Sequence, residues 1–337
     1  MTATRTDTLA AARDAVTEPM REALGRLDPP IRHICGYHLG LWDADGRPGA
    51  GGGKALRPAL ALLSARAAGA GPEVGVPAAV ACELVHNFSL LHDDLMDGDR
   101  ERRHRVTAWA LFGESPAILA GDALLALANE VLAEAPSPTV GWAIRCLNAT
   151  TRRLVAGQSA DLAFESRDDV TVEECLRMAD DKTGALLACA ASLGAVLADA
   201  PSALALGLAR FGTGVGLAFQ LADDLLGIWG RPERTGKPVL SDLRSRKKSL
   251  PVVAALRSGT PAAAELGALY AAPDGLDEAG LQRAADLVVA AGGRSWTEER
   301  ADRALSDALA VLDELAVPAD VAAELASLAR LMSRRDH

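Results

Sequence analysis

Residues 86–103 read HNFSLLHDDLMDGDRERR and place three carboxylates in an apolar segment. Asp93 and Asp97 are four residues apart, so on a helix they lie on one face, one turn apart, with Asp94 beside them. Leucines and a methionine surround these acids, which argues against a simple exposed acidic face. Like charges this close raise each other's pKa or require a cation. Oxygen ligands without His or Cys favour Mg²⁺, which commonly bridges carboxylates and phosphates.

A second acidic pair lies far along the chain, in the sequence GLAFQLADDLLGIWG that starts at residue 216. Five of its residues fall on one helical face or directly beside it: Phe219, Gln220, Asp223, Asp224 and Gly227. One DDxxD string is a weak signal, because short acidic strings are common on solvated faces. Two such strings in apolar sequence predict carboxylates that converge on shared metal ions from opposite walls.

The composition of the 337-residue chain favours helices over strands. Hydrophobic residues make up 49% and aromatic residues only 4%, and Ala and Leu have high helix propensity. No alternation of Val, Ile and Tyr is long enough for a sheet. The long apolar segments are 55–69, 76–97, 105–112, 115–134, 138–164, 171–196 and 202–229. We therefore predict an all-α fold in which residues 1–337 form a single helical domain.

Charge and cysteine usage exclude several classes of protein. The formal net charge of −10 argues against a nucleic-acid-binding protein, which needs a basic surface. The five cysteines are dispersed without a CxxC pair, which favours reduced thiols over disulfides or a zinc site. The N-terminus lacks the apolar run of a signal peptide, and the apolar stretches predict no membrane span. We therefore expect a cytoplasmic protein.

Several basic residues flank these motifs instead of being scattered along the chain. They are Lys54, Arg57, Arg102, Arg103, Lys182 and Lys237. In addition, residues 230–249 carry seven basic residues against two acids, which indicates a loop that faces an anion. Acidic metal sites together with Arg and Lys side chains describe a pocket for diphosphates, with Mg²⁺ on one face and cations on another.

The motifs between residues 51 and 256 resemble those of the trans-isoprenyl diphosphate synthases, also called polyprenyl synthetases, and they follow in the same order along the chain. GGGKALRP resembles the family's GGKxxRP, and DDLMD with the following arginine pair resembles its first aspartate-rich motif. GQSADL and the Lys182-Thr183 pair resemble its GQxxDL and KT motifs, and AFQLADD resembles its FQxxDD. The resemblance implies the isoprenoid-synthase helical bundle around a central cavity, which is typically homodimeric.

The resemblance implies a metal centre. Asp93, Asp97 and Asp223 are implied as Mg²⁺ ligands, with three ions in each active site. Asp94 and Asp224 are implied to lie behind these ligands.

It also implies contacts to two substrates. Those to isopentenyl diphosphate are Lys54, Arg57, His86 and Arg103. Those to the allylic diphosphate are Arg102, Lys182 and Lys237. Phe219, Thr183 and Gln220 are expected to offer π density and dipoles to the allylic cation.

The implied reaction is the Mg²⁺-dependent head-to-tail condensation of isopentenyl diphosphate with an allylic diphosphate. Phe88 and Ser89 stand five and four residues before Asp93, where an aromatic and a small residue suggest a short product. We expect geranylgeranyl diphosphate (C20), ahead of farnesyl diphosphate (C15). The alternative for Phe88 is an ordinary core position.

One position departs from the family pattern, because Gly227 replaces the last aspartate of the second motif. We expect activity to survive, with altered metal affinity or substrate choice. A catalytically impaired regulatory subunit is an alternative that Gly227 alone supports.

Two other kinds of enzyme also use helical carboxylates. A class I terpene cyclase would carry an NDxxSxxxE-like second motif, and DDLLGIWG has neither the Ser nor the Glu. A di-iron bundle needs its Glu-x-x-His motifs on separate helices, whereas Glu83-x-x-His86 and Glu101-x-x-His104 lie only 18 residues apart.

Overall fold

The protein is a helical fold, as seen in a computed structural model that describes residues 5–49, 51, 53–230, 239–272 and 275–333. The helices are α1 Arg5–Leu24, α2 Pro29–His38, α3 Leu56–Ala67, α4 Val76–Met96, α5 Ala108–Phe112, α6 Glu114–Ala133, α7 Val140–Glu165, α8 Val172–Ala179, α9 Ala185–Leu197, α10 Ser202–Trp229, α11 Ser241–Arg244, α12 Leu250–Leu256, α13 Pro261–Ala271, α14 Glu278–Ala290, α15 Gly293–Asp313 and α16 Ala319–Ser333. A 3₁₀ turn covers Pro72–Gly75, and a π-helical turn covers Asp180–Gly184. The prediction of an all-α fold is confirmed.

The chain divides into two compact units. The first comprises Met1–Arg152, Leu186–Gly212 and Val311–Leu328, and the second comprises Arg153–Ala185, Thr213–Ala310 and Ala329–His337. The single domain over residues 1–337 stays a prediction.

Helix α4 is the centre of the first unit, where it contacts α3 and α6. Small side chains let these helices approach closely, and α9 also comes very near α3. A Cβ atom at Gly194 would lie 2.1 Å from the carbonyl oxygen of Ala61, so only glycine fits there. The hydroxyl of Ser64 accepts a hydrogen bond from the backbone N–H of Ala195 at the same crossing.

The end of α4 is fixed by a Schellman motif directly after the first acidic pair. Gly98 has φ +69°, a left-handed conformation that glycine adopts without strain. Its N–H donates to the carbonyl of Leu95, and the N–H of Asp99 donates to the carbonyl of Asp94. The helix therefore ends at Met96, and Asp97 lies at its C-cap.

A short β-hairpin follows, with β1 Glu101–Arg102 paired antiparallel to β2 Arg105–Val106. Its two-residue turn consists of Arg103 and His104, with φ of +53° and +61°. Positive φ at both turn residues defines the type I′ turn, whose twist matches that of paired strands. The predicted helical segment over 105–112 is therefore wrong at its first two residues, because the turn directs them into a strand.

Two apolar clusters form the core of the second unit. One joins Ile228 at the end of α10 to α12, α13 and α14, and includes Val252, Leu266 and Leu281. The other packs Phe164 of α7 and Cys175 of α8 against Leu221, among other residues. The middle of α10 is thus packed on one side, which leaves its acidic residues at an edge of the core.

Three helical segments are long and apolar enough to cross a membrane when judged by length and composition alone. They are Pro72–Met96, Glu114–Ala133 and Ser202–Trp229. The absence of a membrane span stays a prediction.

The apolar segment 171–196 contains two helices, α8 and α9, which are separated by the π turn. Thr171 and Glu174 form a capping box that starts α8, and the π turn then carries the chain into α9. π-Helical turns are rare and occur often at functional sites. Helix α7 approaches this turn at Gly157, where a Cβ atom would lie 2.4 Å from the backbone nitrogen of Lys182.

Replacing Gly157 with alanine should destabilise the protein, because the clash is with backbone that moves only together with the π turn. We expect Gly157→Ala to lower the free energy of unfolding by about 1–3 kcal/mol, measured by urea denaturation. Gly141→Ala on the same helix is the control, since no atom lies within 4 Å of its added Cβ. Equal stability of the two variants would contradict the close approach.

Candidate active site

Asp93 and Asp97 lie at the C-terminal end of α4. The N–H of Asp97 donates to the carbonyl of Asp93 at 2.8 Å, so the two residues are one helical turn apart as predicted. Asp93 is half-buried and Asp97 is exposed. Both carboxylates are therefore positioned where a ligand can reach the end of the helix.

Asp94 has a different environment from its neighbours, since only 1% of the residue is exposed. Its Oδ1 atom accepts a hydrogen bond from Nε of Arg102 at 2.6 Å. Burial raises the pKa of Asp94 to about 6, against the opposing effect of the Arg102 charge. Asp94 thus holds the hairpin arginine in place, and its position behind the metal ligands stays a prediction.

The hairpin directs three arginines to one side of the first unit. Arg102 is fixed by Asp94, and the guanidinium of Arg105 lies 4.3 Å from the centre of the Tyr37 ring. The hydroxyl of Tyr37 donates to the carbonyl of Val106 at 2.7 Å and so ties α2 to the hairpin. Arg103 occupies the left-handed turn position, which costs a side chain about 1–2 kcal/mol. Strain of this kind is typical of functional sites.

Three of the predicted contacts to isopentenyl diphosphate lie near one another. The charges of Arg57 and Arg103 lower the pKa of His86 further than burial alone, so this imidazole is neutral. The Glu83 carboxylate lies close enough to oppose the effect of burial on the pKa of both arginines. Lys54 is exposed in the loop before α3.

A cavity of about 360 Å³ opens beside this group, within the first unit. We call it the arginine cavity. Its lining includes Tyr37, His38, Gly53, Asn87, Asp94, Arg102, Arg103 and Arg105. Asp43 also lines the cavity, so three arginines face two carboxylates. Asp43 is paired with Arg47 and Asp94 with Arg102, which leaves the cavity suitable for a compact, multiply charged anion.

Phe88 and Ser89 are buried in α4, each only 6% exposed. The Phe88 ring packs edge-on against His92, with ring centres 5.1 Å apart. His92 in turn makes a hydrogen bond to the carbonyl oxygen of Ile118 on α6. The chain-length role of Phe88 and Ser89 stays a prediction, and this packing also fits a core position.

Asp223 and Asp224 differ in exposure in the same way as Asp93 and Asp94. Asp223 is exposed, whereas Asp224 is 4% exposed and accepts hydrogen bonds from Gln220 Nε2 at 2.7 Å and from the N–H of Leu250 at 2.9 Å. Burial raises the pKa of Asp224 to about 6. Thr183 Oγ1 completes the chain by donating to Gln220 Oε1 at 2.6 Å. The predicted residues Thr183 and Gln220 are therefore joined to the acidic pair. Phe219 is half-buried one turn before Asp223.

Lys182 lies in the π turn and forms an ion pair with Asp161 on α7. These residues belong to the two motifs that the sequence presents separately, GQSADL and Lys182-Thr183. The structure therefore explains their pairing, because the carboxylate of one motif holds the ammonium group of the other.

The space at Gly227 is taken by another carboxylate. A Cβ atom at this position would lie 2.2 Å from Oδ2 of Asp242 in α11. Ser241 fixes α11 here by donating from its hydroxyl to the carbonyl of Gly227 at 3.2 Å. Burial lowers the pKa of the nearby Lys247, but Asp242 and Asp224 raise it more strongly, so this lysine stays charged.

The described carboxylates fit Mg²⁺. Among the residues that the structure describes, no three His, Cys, Asp or Glu side chains are placed to bind one metal ion by themselves. Mg²⁺ commonly takes one or two carboxylates and completes its shell with water and phosphate oxygens. Asp93 with Asp97 in the first unit, and Asp223 in the second, offer oxygen donors of that kind.

One predicted site residue is not described by the structure, and three residues at the site were not predicted. The predicted site residue Lys237 lies outside the described residues. The sequence did not predict His38 and Arg105, which line the arginine cavity, or Asp242, which lies beside Gly227. Arg105 stands in the same basic string as the arginine pair, which was a usable signal, whereas His38 belongs to no motif.

Comparison with known proteins identifies the family. Residues 49–288 match the model of the polyprenyl synthetase family. A (2E,6E)-farnesyl diphosphate synthase of Mycobacterium tuberculosis is 49% identical over 97% of this chain and 92% of its own. A geranylgeranyl diphosphate synthase of the same species is 44% identical over 94% of this chain and 90% of its own.

Solved structures agree with this assignment. A polyprenyl synthetase from Streptomyces coelicolor A3(2) has a TM-score of 0.93 and 51% identity, covering 98% of this chain and 99% of its own. A geranylgeranyl pyrophosphate synthase from Corynebacterium glutamicum, complexed with isoprenyl diphosphate and magnesium, has a TM-score of 0.84 and 26% identity, with 99% and 100% coverage. The chain belongs to the polyprenyl synthetase family.

Restoring the family's aspartate at position 227 should harm this protein. Gly227→Asp would force two carboxylates into the space that Asp242 already fills. We expect a loss of about 1–3 kcal/mol in the free energy of unfolding, measured by thermal or urea denaturation.

The double variant Gly227→Asp with Asp242→Ser removes the competing carboxylate and should recover most of that loss. A single Gly227→Asp variant as stable as the wild type would show that Asp242 does not constrain this position.

Proposed function

We propose that this polyprenyl synthetase condenses isopentenyl diphosphate head-to-tail with an allylic diphosphate, as a short-chain trans-prenyltransferase. The observation that carries the proposal is the group of Arg57, His86 and Arg103 beside the arginine cavity, on the same helical unit as the outward-facing Asp93 and Asp97. The first unit therefore offers basic groups for a diphosphate together with carboxylates for the Mg²⁺ that accompanies it.

In this proposal, the first unit binds isopentenyl diphosphate. Lys54, Arg57 and Arg103 neutralise the phosphates, and His86, which is neutral, contributes a hydrogen bond instead of a charge. The negative charge of Glu83 opposes the effect of burial on the pKa of both arginines. A bound diphosphate fixes the position of the nucleophilic double bond, which supplies part of the rate acceleration.

The allylic diphosphate needs cations that stabilise its departure. We assign this role to Arg102, Lys182 and Lys237, and two of the three are held by carboxylates in the structure. When bound, Mg²⁺ supplies positive charge that draws electrons toward the leaving diphosphate. Asp93, Asp97 and Asp223 are the proposed Mg²⁺ ligands, for three ions in each site. The pairs Asp94–Arg102 and Lys182–Asp161 are preorganised, so little reorganisation is needed during the reaction.

The allylic cation requires surroundings that do not attack it. Phe219 offers a π face, and Gln220 is held by hydrogen bonds to Thr183 and Asp224, so its amide dipole is fixed. A strong base is not needed, because the released diphosphate accepts the final proton. Exclusion of water protects the cation until the new carbon–carbon bond forms.

The proposal extends to the location and the oligomeric state of the enzyme. We propose a cytoplasmic enzyme that forms a homodimer, which the mass of the protein in solution would test. Exposed apolar side chains on the first unit support a face that is buried in the dimer. Among them are Leu119 at 56% and Trp142 at 59% exposure.

The activity is tested with isopentenyl diphosphate, one allylic primer at a time and Mg²⁺, followed by chromatography of the products. We expect products of 15 to 20 carbons, loss of turnover when a chelator removes Mg²⁺, and recovery on its return. Asp93→Asn and Asp223→Asn should each lower kcat by about a hundredfold or more, because each removes a proposed metal ligand.

The exposed Asp302→Asn on α15 is the control for these variants and should retain full activity. Hydrocarbon formed from the allylic diphosphate alone would instead identify a terpene cyclase. No turnover by the isolated chain would identify an impaired regulatory subunit.

Phe88 is proposed to form the floor of the product pocket. It lies five residues before Asp93, about 7.5 Å along the helix axis. Phe88→Ala should lengthen the main product by at least one five-carbon unit, as read by chromatography. Leu84→Ala, one turn further from Asp93 and fully buried, controls for a general loosening of α4. An unchanged product length in Phe88→Ala would assign Phe88 to the core.

A further inference from the structure

His38 is a polar residue that no motif predicts and whose Nε2 atom has no hydrogen-bond partner in the described part of the protein. It is the last residue of α2, and Nε2 is buried. The residue lines the arginine cavity. A buried polar atom without a partner has given up its hydrogen bonds to water, so it marks a place where a ligand can supply the missing hydrogen bond.

The charges around His38 keep its imidazole neutral in the free protein. Burial lowers its pKa to about 3, and Arg102, Arg103 and Arg105 of the hairpin contribute to the decrease. The carboxylates that line the cavity are Asp94, which is paired with Arg102, and Asp43, which is paired with Arg47. The neutral His86 on α4 lies close enough for His38 to affect its pKa. A neutral imidazole carries one N–H donor, and the arginines supply charge around it.

The position of His38 is fixed before any ligand binds. The preceding residue, Tyr37, is tied to the hairpin through its hydroxyl and through the stacked Arg105. The loop that follows α2 folds back, and the Trp42 ring occupies the space above Gly36. Arg105 also donates to the carbonyl of Trp42 at 3.3 Å. The imidazole is therefore held in a rigid frame beside the three arginines.

The chemistry of the cavity selects a diphosphate as the ligand. The guanidinium groups of Arg103 and Arg105 match phosphate oxygens, and the volume of about 360 Å³ admits a diphosphate with a short carbon chain. The glycine-rich loop, through Gly51 and Gly53, and Arg103 line the same cavity. The proposed function places isopentenyl diphosphate on that loop and on Arg103.

We propose that His38 is a further binding residue for isopentenyl diphosphate, to which its Nε2–H donates a hydrogen bond. This inference rests on the proposed function for the identity of the substrate. His38 adds direction to a site whose arginines supply mainly charge. It binds the substrate without taking part in bond formation.

The test compares His38→Phe, which removes the donor but keeps the ring, with His38→Gln, which keeps an N–H donor. Calorimetric titration of the full-length enzyme with isopentenyl diphosphate should show a Kd about 10-fold to 100-fold higher for His38→Phe. His38→Gln should stay within about threefold of the wild type. In the steady state, KM for isopentenyl diphosphate should rise in His38→Phe, with kcat and KM for the allylic substrate nearly unchanged.

His33→Gln is the matched control, because His33 lies on the same helix and makes a hydrogen bond to Ala44 outside the arginine cavity. An unchanged KM for isopentenyl diphosphate in His38→Phe would overturn the inference. Equal losses in His38→Phe and His38→Gln would also overturn it, since they would show a packing role.

A measurement on the wild type keeps the test valid if His38→Phe fails to fold. Histidine ¹⁵N NMR, assigned by comparison with His38→Gln, should show the Nε2 resonance of His38 shifting when inorganic pyrophosphate is added. No shift at saturation would overturn the inference. A shift in an enzyme that does not turn over isopentenyl diphosphate would support diphosphate binding by His38 while contradicting the proposed function.

Discussion

A carboxylate buried in an apolar helical core requires a hydrogen-bonding partner, and this requirement organises both acidic pairs. Oδ1 of Asp94 accepts from Arg102, whereas its buried Oδ2 has no hydrogen-bond partner among the described residues. Asp224 accepts from Gln220 and from the backbone N–H of Leu250. In each pair the second aspartate therefore fixes a later segment of the chain, the hairpin in one case and the start of α12 in the other. The first aspartate of each pair is the more accessible one, since Asp93 is half-buried and Asp223 is exposed.

The cationic groups follow from the same constraint. Arginine cannot lose its charge in a protein, so a cavity that gathers several guanidinium groups forces nearby histidines to be neutral. Burial is the main cause of the lowered pKa of His38 and His86, and the arginine charges lower it further. The free protein thus carries an excess of positive charge and unused donors at one place, and a multiply charged anion relieves both.

The replacement of the last aspartate by Gly227 is compensated in space. The carboxylate of Asp242 lies where a side chain at position 227 would begin, and the buried part of α11, Leu243, packs into the core. The second motif therefore loses a charge from its own helix and gains one from the following turn.

The sequence by itself determined the helical class, the spacing of Asp93 and Asp97 and the family motifs, because helical periodicity and local residue order are enough for these. It did not predict the strand at Arg105, the π turn that carries Lys182 or the site residue His38. The hairpin turn is local, but the hydroxyl of Tyr37 on α2 fixes its place. The π turn and His38 depend on distant segments, namely the approach of α7 at Gly157 and the burial of one imidazole among arginines. The resemblance implied that Asp94 and Asp224 lie behind the other aspartates, but only the tertiary structure decided their partners, because Arg102 and the backbone of Leu250 come from later parts of the chain.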